Sequence, residues 1–226
     1  MMRRVAIRCG VCCAISVLAS PGNVYARRGN VAQAANGSTA SGGISCLACH
    51  GGSPGSGSVQ ILNAPAQYQA NHVYDLTIRV MDPFEAGAGF QLSVEDAAGT
   101  HVGTLIITDA ANTTWNNNDP NWVNHTETGV VNSITNWASL GSAAEFEVRW
   151  QAPGSDVGPL TFWAVGNAIN NNNSPTSDKV YLSNATATFV AIPAASEWGL
   201  LALALSVMTA ATVVLGRRSL AATAKA

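Results

Sequence analysis

The feature that most constrains the fold is an alternation of apolar and polar residues, repeated in short segments along the middle of the chain. In 73–80, Tyr74, Leu76, Ile78 and Val80 occupy every second position, so they share one face of an extended strand. The same period of two recurs in 90–94 and 146–150, and further strand candidates, each bounded by Gly, Pro, Asn or Asp, are 102–107, 160–165, 180–182 and 186–191. About seven short strands of this kind predict an all-β fold, an antiparallel sandwich over 59–191.

The N-terminal end has the order of parts of a secretory signal peptide. Arg3 and Arg4 precede an apolar stretch, which is followed by the small-residue site Val24–Ala26. Charged, apolar and cleavable regions in this order predict a signal peptide over 1–26 and export of the remaining chain. An uncut short anchor is the alternative, although the apolar run is short for a membrane span.

Near the other end, the 18 residues Gly199–Gly216 carry no charge and are followed at once by Arg217 and Arg218. A helix rising ~1.5 Å per residue would reach roughly 27 Å, about the thickness of a hydrocarbon core. This predicts a transmembrane helix with a basic cytoplasmic tail, so that the preceding domain lies outside the cytoplasmic membrane. A buried core helix is the alternative.

The residues before this apolar stretch form a second pattern at the C-terminal end, 192–226. Its matching positions are Ile192, Pro193, Ser196, Glu197, Trp198 and Gly199, and Ala194 and Ala195 depart from it. Followed by an apolar helix and an arginine pair, the order resembles the IPTL-type sorting signal, a relative of the PEP-CTERM signals. The resemblance implies a bacterial envelope protein processed by an exosortase-like enzyme, which leaves the ectodomain anchored, at the cell surface, in the periplasm or released.

The charge of the predicted domain is strongly negative. Residues 29–195 contain twelve acidic and three basic residues, a net charge of −9. Such a domain is a poor candidate for binding nucleic acid or anionic lipid. The charge is compatible with a basic protein partner or with solubility alone.

Several short motifs occur in an order typical of one family. They are the alternating run from Tyr74, Gly89–Leu92, His125–Thr126 with Gly129, Val148–Pro153, and Gly158 before Leu160–Ala164. This order resembles the reelin-type (Reeler) domain, and more closely the bacterial choice-of-anchor ectodomains. The resemblance implies an immunoglobulin-like β-sandwich at the cell surface and no enzymatic reaction. The sequence also lacks a nucleophile elbow or a phosphate-binding glycine loop, which predicts a protein that is not an enzyme.

The most specific chemical motif is Cys46-Leu47-Ala48-Cys49-His50, inside the Gly/Ser-rich segment 27–58. Removal of the signal peptide leaves Cys46 and Cys49 as the last two cysteines of the chain. C-x-x-C-H is the attachment signature of haem c, in which two thiols bind the porphyrin and the histidine reaches the iron. The motif predicts covalent haem with His50 as proximal ligand, for electron transfer or redox sensing.

Two other chemistries compete for these cysteines. A Cys46–Cys49 disulfide suits an oxidising compartment but leaves His50 without a role. A structural zinc site requires four ligands, and the chain has no second cysteine pair. The glycine-rich run after His50 places any haem on the flank of the domain, where exposure would lower its reduction potential.

A distal haem ligand is harder to assign. His125 is the leading candidate because it lies in the Reeler-like segment, where a hydrogen-bonded structural role is favoured over ligation. His72 and His101 are predicted at turns, and Met81 at the end of a strand. The sequence favours a haem without a distal protein ligand over a haem bound distally by any one of these residues.

Two loops, 113–125 and 166–178, concentrate Asn and Asp. The first contains Trp115, Asp119 and Trp122, which as exposed groups would stack on sugars, orient hydroxyls or hold Ca²⁺. Long loops with no ligand are the simpler interpretation. The second hypothesis for the whole chain is therefore a haem-free adhesion or matrix module, with a cysteine disulfide and loops that bind glycan or protein.

Overall fold

The computed structural model describes Gly29, Val31 and residues 34–50, 55–191 and 195–223, with side chains of 195–197 and 213–223 not described. Its strands are β1 (Ser58–Leu62), β2 (Gln67–Tyr68), β3 (Val73–Met81), β4 (Gly87–Asp96), β5 (Thr104–Ile106), β6 (Thr113–Asn116), β7 (Asp119–His125), β8 (Ala143–Gln151), β9 (Leu160–Ile169) and β10 (Lys179–Phe189). Its helices are a 3₁₀ turn at Cys46–Ala48, α1 (Glu127–Asn136) and α2 (Ala195–Thr223). The predicted signal peptide and the sorting residues Ile192 and Pro193 lie outside the described residues.

The strands form two sheets. The four-stranded sheet has the order β1-β3-β8-β5, and the six-stranded sheet has the order β2-β10-β9-β4-β7-β6. Neighbouring strands are antiparallel except β2 and β10, which are parallel. The prediction of a mostly β fold with two sheets is confirmed, whereas the described residues form ten strands in place of about seven, one strand pair is parallel, and two α-helices are present.

The core lies between the sheets and contains the apolar faces that the alternation predicts. In β3, Leu76, Ile78 and Val80 are buried at every second position. Aromatic rings connect the two sheets: Phe90 stacks on Phe146 with ring centres 4.6 Å apart. Residues from both sheets join one apolar cluster, which makes the sandwich a single hydrophobic unit.

The strand prediction differs from the structure in several details. The segments 180–182 and 186–191, predicted as two strands, form the single strand β10, which ends at Phe189. The Asn-rich segment 113–125, predicted as a loop, is the hairpin β6–β7. Its turn residues Asn117 and Asn118 have φ of 50° and 64°, a left-handed pair typical of tight hairpin turns. Polar composition concealed this hairpin, because Asn is rare in strands but favoured in such turns.

Helix α1 was not predicted from the sequence. Its buried residues are Gly129, Val130 and Ser133, which form no apolar stripe and so give no helical periodicity. Its first turn is capped by Thr126, whose side-chain oxygen accepts a hydrogen bond from the Gly129 amide at 2.9 Å. The helix packs against the six-stranded sheet near β4, where Ser133 Oγ accepts the Ala88 amide at 2.9 Å.

Helix α2 includes the predicted apolar helix 199–216. Among the residues that the structure describes, no helix is long and apolar enough to cross a membrane. The predicted span continues past residue 212, where the description of side chains ends.

Residues 34–45, here called the strap, lie across the outer face of the six-stranded sheet. The strap contributes Ala35, whose amide donates to Gln91 Oε1 at 2.6 Å, and Asn36, whose side-chain amide donates to Ser93 Oγ at 2.8 Å and to the Trp163 carbonyl at 3.1 Å. Composition predicts that this segment does not order itself, and its order indeed comes from polar groups of the sheet. The outward side chains of β4 are therefore buried although they are polar.

Replacement of Asn36 by alanine is expected to lower the free energy of unfolding by about 1–3 kcal/mol, because it leaves buried polar groups of the sheet without their partner. Hydrogen exchange of the Ala35 amide should become faster, which local release of the strap would cause. Thr39→Ala, at an exposed strap position, is the matched control. Equal exchange in both variants would contradict anchoring by Asn36.

Candidate functional site

The cysteine motif lies directly after the strap, in a tight turn. The amides of Cys49 and His50 both donate to the Cys46 carbonyl, at 3.1 and 2.8 Å, so the two cysteines and the histidine belong to one turn. Both cysteines are free thiols; Cys46 is partly buried and Cys49 is exposed. The Cys46 thiol contacts the Ala35 carbonyl at 3.6 Å, within the distance for a weak sulfur hydrogen bond.

The environment of Cys46 favours an uncharged sulfur. Burial, followed by the charge of Cys49, raises the pKa of the Cys46 thiol to about 12. A thiol with so high a pKa stays protonated at neutral pH and is a poor metal ligand. Within residues 34–50, 55–191 and the described part of α2, no group of three or more His, Cys, Asp or Glu side chains could hold a metal ion. A neutral thiol, thioether or disulfide suits the surroundings of Cys46, and the zinc interpretation stays a prediction.

His50 is directed towards the ends of β9 and β10. Its Nδ1 lies 2.9 Å from Asp178 Oδ2, and the side chains of His50 and Asp178 are 19% and 2% exposed. A carboxylate accepts hydrogen bonds, so this contact assigns the ring proton to Nδ1. Nε2 is then the nitrogen that keeps its lone pair, which is the form a metal-binding histidine takes.

Asn167 of β9 completes the surroundings of this ring. Its side-chain nitrogen lies 3.2 Å from His50 Nδ1 and 3.4 Å from Nε2, so with the proton on Nδ1 the Nε2 lone pair faces this amide, which must move aside for a ligand to bind at Nε2. Its side-chain oxygen is buried and has no hydrogen-bond partner. A buried acceptor without a donor is uncommon in folded proteins.

These observations test whether the residues suit a covalently attached haem. The donor set fits: two free thiols occupy one turn, and the adjacent imidazole is fixed by a carboxylate in the form that ligates through Nε2. The unpartnered Asn167 oxygen lies beside the same ring.

His125, the candidate distal ligand, has a structural environment. It is buried, and its Nδ1 lies 2.9 Å from the Phe90 amide nitrogen and 3.2 Å from the Phe90 carbonyl oxygen, so the Phe90 backbone can hold this ring in either tautomer. A Cβ on Gly89 would lie 2.4 Å from the His125 ring, so the close packing requires glycine there. Burial lowers the pKa of His125 to about 4, with smaller effects from the Phe90 backbone in the opposite direction and from His50 in the same direction.

The other distal candidates pack elsewhere. The ring of His72 contacts that of Tyr74 with centres 4.6 Å apart, and His101 contacts Trp122 at 4.8 Å. Met81 is the last residue of β3, paired with Ser58 and Ala143. Each of the three therefore has contacts of its own in the sandwich.

The candidate ligand loop does not present two exposed tryptophans. Trp122 is 5% exposed, so the prediction that it is free to stack on a sugar is wrong. It lies in β7, and its ring contacts that of His101. Trp115 is 42% exposed but donates through Nε1 to the Leu105 carbonyl at 3.4 Å. Asp119 accepts the Asn121 amide at 3.0 Å, as turn residues commonly do.

Sequence reasoning missed Asp178 and Asn167, which are the two residues that surround His50. They lie 128 and 117 positions from it, and no spacing rule connects them to the cysteine motif. One signal was available for Asp178, since it is the acidic residue that ends an Asn-rich loop immediately before an alternating strand.

Comparison with known proteins gives similarity of fold alone. No family model matches the sequence, and no curated protein matches it. The reeler domain of human F-spondin is similar at 17% identity, with a TM-score of 0.42, 62% of this chain and 92% of that chain covered. The Reelin-N domain of F-spondin is 17% identical with a TM-score of 0.43, and the match covers 64% of this chain and 95% of that chain. A type II cohesin domain of Acetivibrio cellulolyticus is 10% identical with a TM-score of 0.27, and the match covers 60% of this chain and 91% of that chain.

Proposed function

We propose that this chain is an exported protein of the bacterial envelope that carries one haem c and transfers electrons. Cys46 and Cys49 would hold the haem, and His50 would be its proximal ligand. Each thiol S–H would add across one vinyl C=C bond to give a thioether, which needs no external oxidant or reductant. Once bound, haem supplies one-electron chemistry at its iron.

The observation that carries this proposal is the contact between His50 Nδ1 and Asp178 Oδ2 at 2.9 Å. Histidines that bind metals usually donate their second ring N–H to a carboxylate or carbonyl, which fixes the ring and increases the basicity of the ligating nitrogen. A disulfide would leave this arrangement unused.

The ends of the chain support the compartment. Haem attachment of this kind occurs outside the cytoplasmic membrane, and the signal-peptide pattern in 1–26 would direct the chain there. In the sorting pattern, Glu197, Trp198 and Gly199 precede the apolar part of α2. We therefore also propose processing by an exosortase-like enzyme and delivery to the surface or the periplasm.

The alternative of a haem-free adhesion module has weaker support. Trp122 is buried in β7, so the aromatic pair proposed for glycan binding is incomplete. Polar groups of the second Asn-rich loop already form hydrogen bonds within the loop and with Asp178. A Cys46–Cys49 disulfide would also give His50 no ligand to bind.

The test is a pyridine haemochrome spectrum of the full chain, produced together with a haem-attachment system. We expect a covalent c-type spectrum for the wild type and none for the Cys46→Ser/Cys49→Ser double variant. His50→Ala should change the spectrum of the native protein because the iron loses its proximal ligand. His72→Ala, at an exposed histidine, is the control and should leave the spectrum unchanged. Wild-type protein without covalent haem would refute the proposal.

A further inference from the structure

The contact that orients His50 also suggests how its redox properties are set. We infer that Asp178 is a positioning residue that fixes the His50 ring and makes the reduction potential of the haem more negative; this inference rests on the proposed function. Asp178 would act through His50 and would not touch the iron.

Asp178 differs from an ordinary surface acid. Its side chain is 2% exposed, and both oxygens have partners: Oδ2 contacts His50 Nδ1 at 2.9 Å and Oδ1 accepts the Asn170 amide at 3.2 Å. A carboxylate removed from water interacts more strongly with its partner than an exposed one, whose interactions are screened by solvent.

The loop 170–177 holds this carboxylate in place. Within it, Asn170 donates through its side chain to the Thr176 carbonyl at 3.0 Å, and its side-chain oxygen accepts the Asn172 amide at 3.0 Å. Asn172 in turn accepts the Ser174 amide at 2.8 Å. Asn171 and Asn173 have φ near 60°, a conformation that asparagine tolerates better than most residues. The Asn-rich sequence therefore builds a closed loop that ends at Asp178.

The charge of Asp178 also affects the pKa of a second acid, Glu85. Burial, followed by the charges of Asp82 and Asp178, raises the pKa of Glu85, against the opposing effect of Lys179. Asp178 therefore lies in a locally negative region of the sandwich, close to the histidine that it contacts.

The effect on the haem follows from the direction of the hydrogen bond. An Nδ1–H donated to a carboxylate places more electron density on the imidazole, and His50 then donates more strongly through Nε2. Stronger donation and nearby negative charge both stabilise the oxidised iron relative to the reduced iron. The reduction potential becomes more negative.

The experiment compares Asp178→Asn with Asp75→Asn in haem-loaded full-length protein, by redox titration followed optically. Asp75 is an exposed acid paired with Arg149 in the four-stranded sheet, so the control makes the same chemical change far from the motif. We expect a more positive potential for Asp178→Asn and the wild-type potential for Asp75→Asn. Equal potentials in the three proteins would overturn the inference.

A second readout needs no haem. Long-range ¹H–¹⁵N spectra of the haem-free protein should show the His50 proton on Nδ1, and Asp178→Ala, which removes the acceptor, should produce a mixture of tautomers. An unchanged tautomer would contradict positioning by Asp178. If wild-type protein takes up no haem, the proposed function fails, whereas the tautomer result still decides whether Asp178 orients His50.

If Asp178→Asn does not fold, Asn170→Ala gives the same test with the carboxylate kept. This change removes the side-chain bonds to the Thr176 carbonyl and the Asn172 amide, which loosens the loop that ends at Asp178. The potential should shift in the same direction by a smaller amount. A folded Asn170→Ala protein with the wild-type potential and a fixed His50 tautomer would overturn the proposed role of the loop.

Discussion

Replacement of Trp150 by alanine is expected to lower the free energy of unfolding by about 3–5 kcal/mol. The ring is completely buried on β8 and contacts three other aromatic rings, those of Tyr68, Tyr74 and Phe162. Its Nε1 donates to the Val102 carbonyl at 3.0 Å, so truncation removes both the packing and the donor to a backbone acceptor. Urea denaturation followed by circular dichroism measures the loss.

Trp150→Phe separates the contribution of packing from that of the hydrogen bond. Phenylalanine keeps most of the apolar volume but cannot donate to Val102, so we expect a smaller loss of about 1–3 kcal/mol. A stability of Trp150→Ala within about 1 kcal/mol of the wild type would show that this ring is not at the centre of the core, contrary to its position.

The second large effect is a loss of stability in acid caused by His125. Its pKa is lowered from 6.5 to about 4 in the folded protein, so between these values the unfolded chain binds a proton that the folded chain does not. Stability is therefore complete above pH 6.5 and falls as the pH is lowered towards 4. At roughly 1.4 kcal/mol per pKa unit, the total loss is about 3 kcal/mol.

Other acids titrate in the same range, so His125 must be isolated by difference. His125→Gln cannot take up a proton near neutral pH and keeps an acceptor for the Phe90 amide. The difference in unfolding free energy between wild type and His125→Gln should shrink as the pH falls from 7 to 4. A constant difference would show that His125 is not held neutral by the fold.

The sequence predicted the fold best where one face of a strand is buried and the other is open. In β3 and β8, apolar and polar positions alternate as burial does, so the period of two alone identified them. In β4 both faces are buried, because the strap covers Gln91 and Ser93. This covering depends on contacts between residues 56 and 57 positions apart, which a local pattern does not contain.

Helix α1 and the hairpin β6–β7 were missed for related reasons. The buried face of the helix is made of small and polar groups, and Ser133 is buried because it bonds to the Ala88 backbone. The hairpin is rich in Asn, whose turn preference hid the flanking strands. In the helix, hydrogen bonds to the backbone replace the apolar pattern that sequence reasoning uses.

The candidate site likewise contains residues that the sequence predicted and residues that it did not. Cys46, Cys49 and His50 are contiguous, and their spacing alone indicates the chemistry that they suit. Asp178 and Asn167 reach His50 only because β9 and β10 are adjacent in the sheet and the strap ends beside them. The fold therefore determines which nitrogen of His50 carries the proton.

The covalent link between the chain and haem is the central claim, and the mass of the intact protein tests it most directly. The wild-type chain, produced with a haem-attachment system and measured under denaturing conditions, should be heavier than its polypeptide by the mass of one haem. The Cys46→Ser/Cys49→Ser variant should have the mass of the polypeptide alone. A wild-type mass equal to that of the polypeptide, or lower only by the two hydrogens lost in a disulfide, would contradict the account.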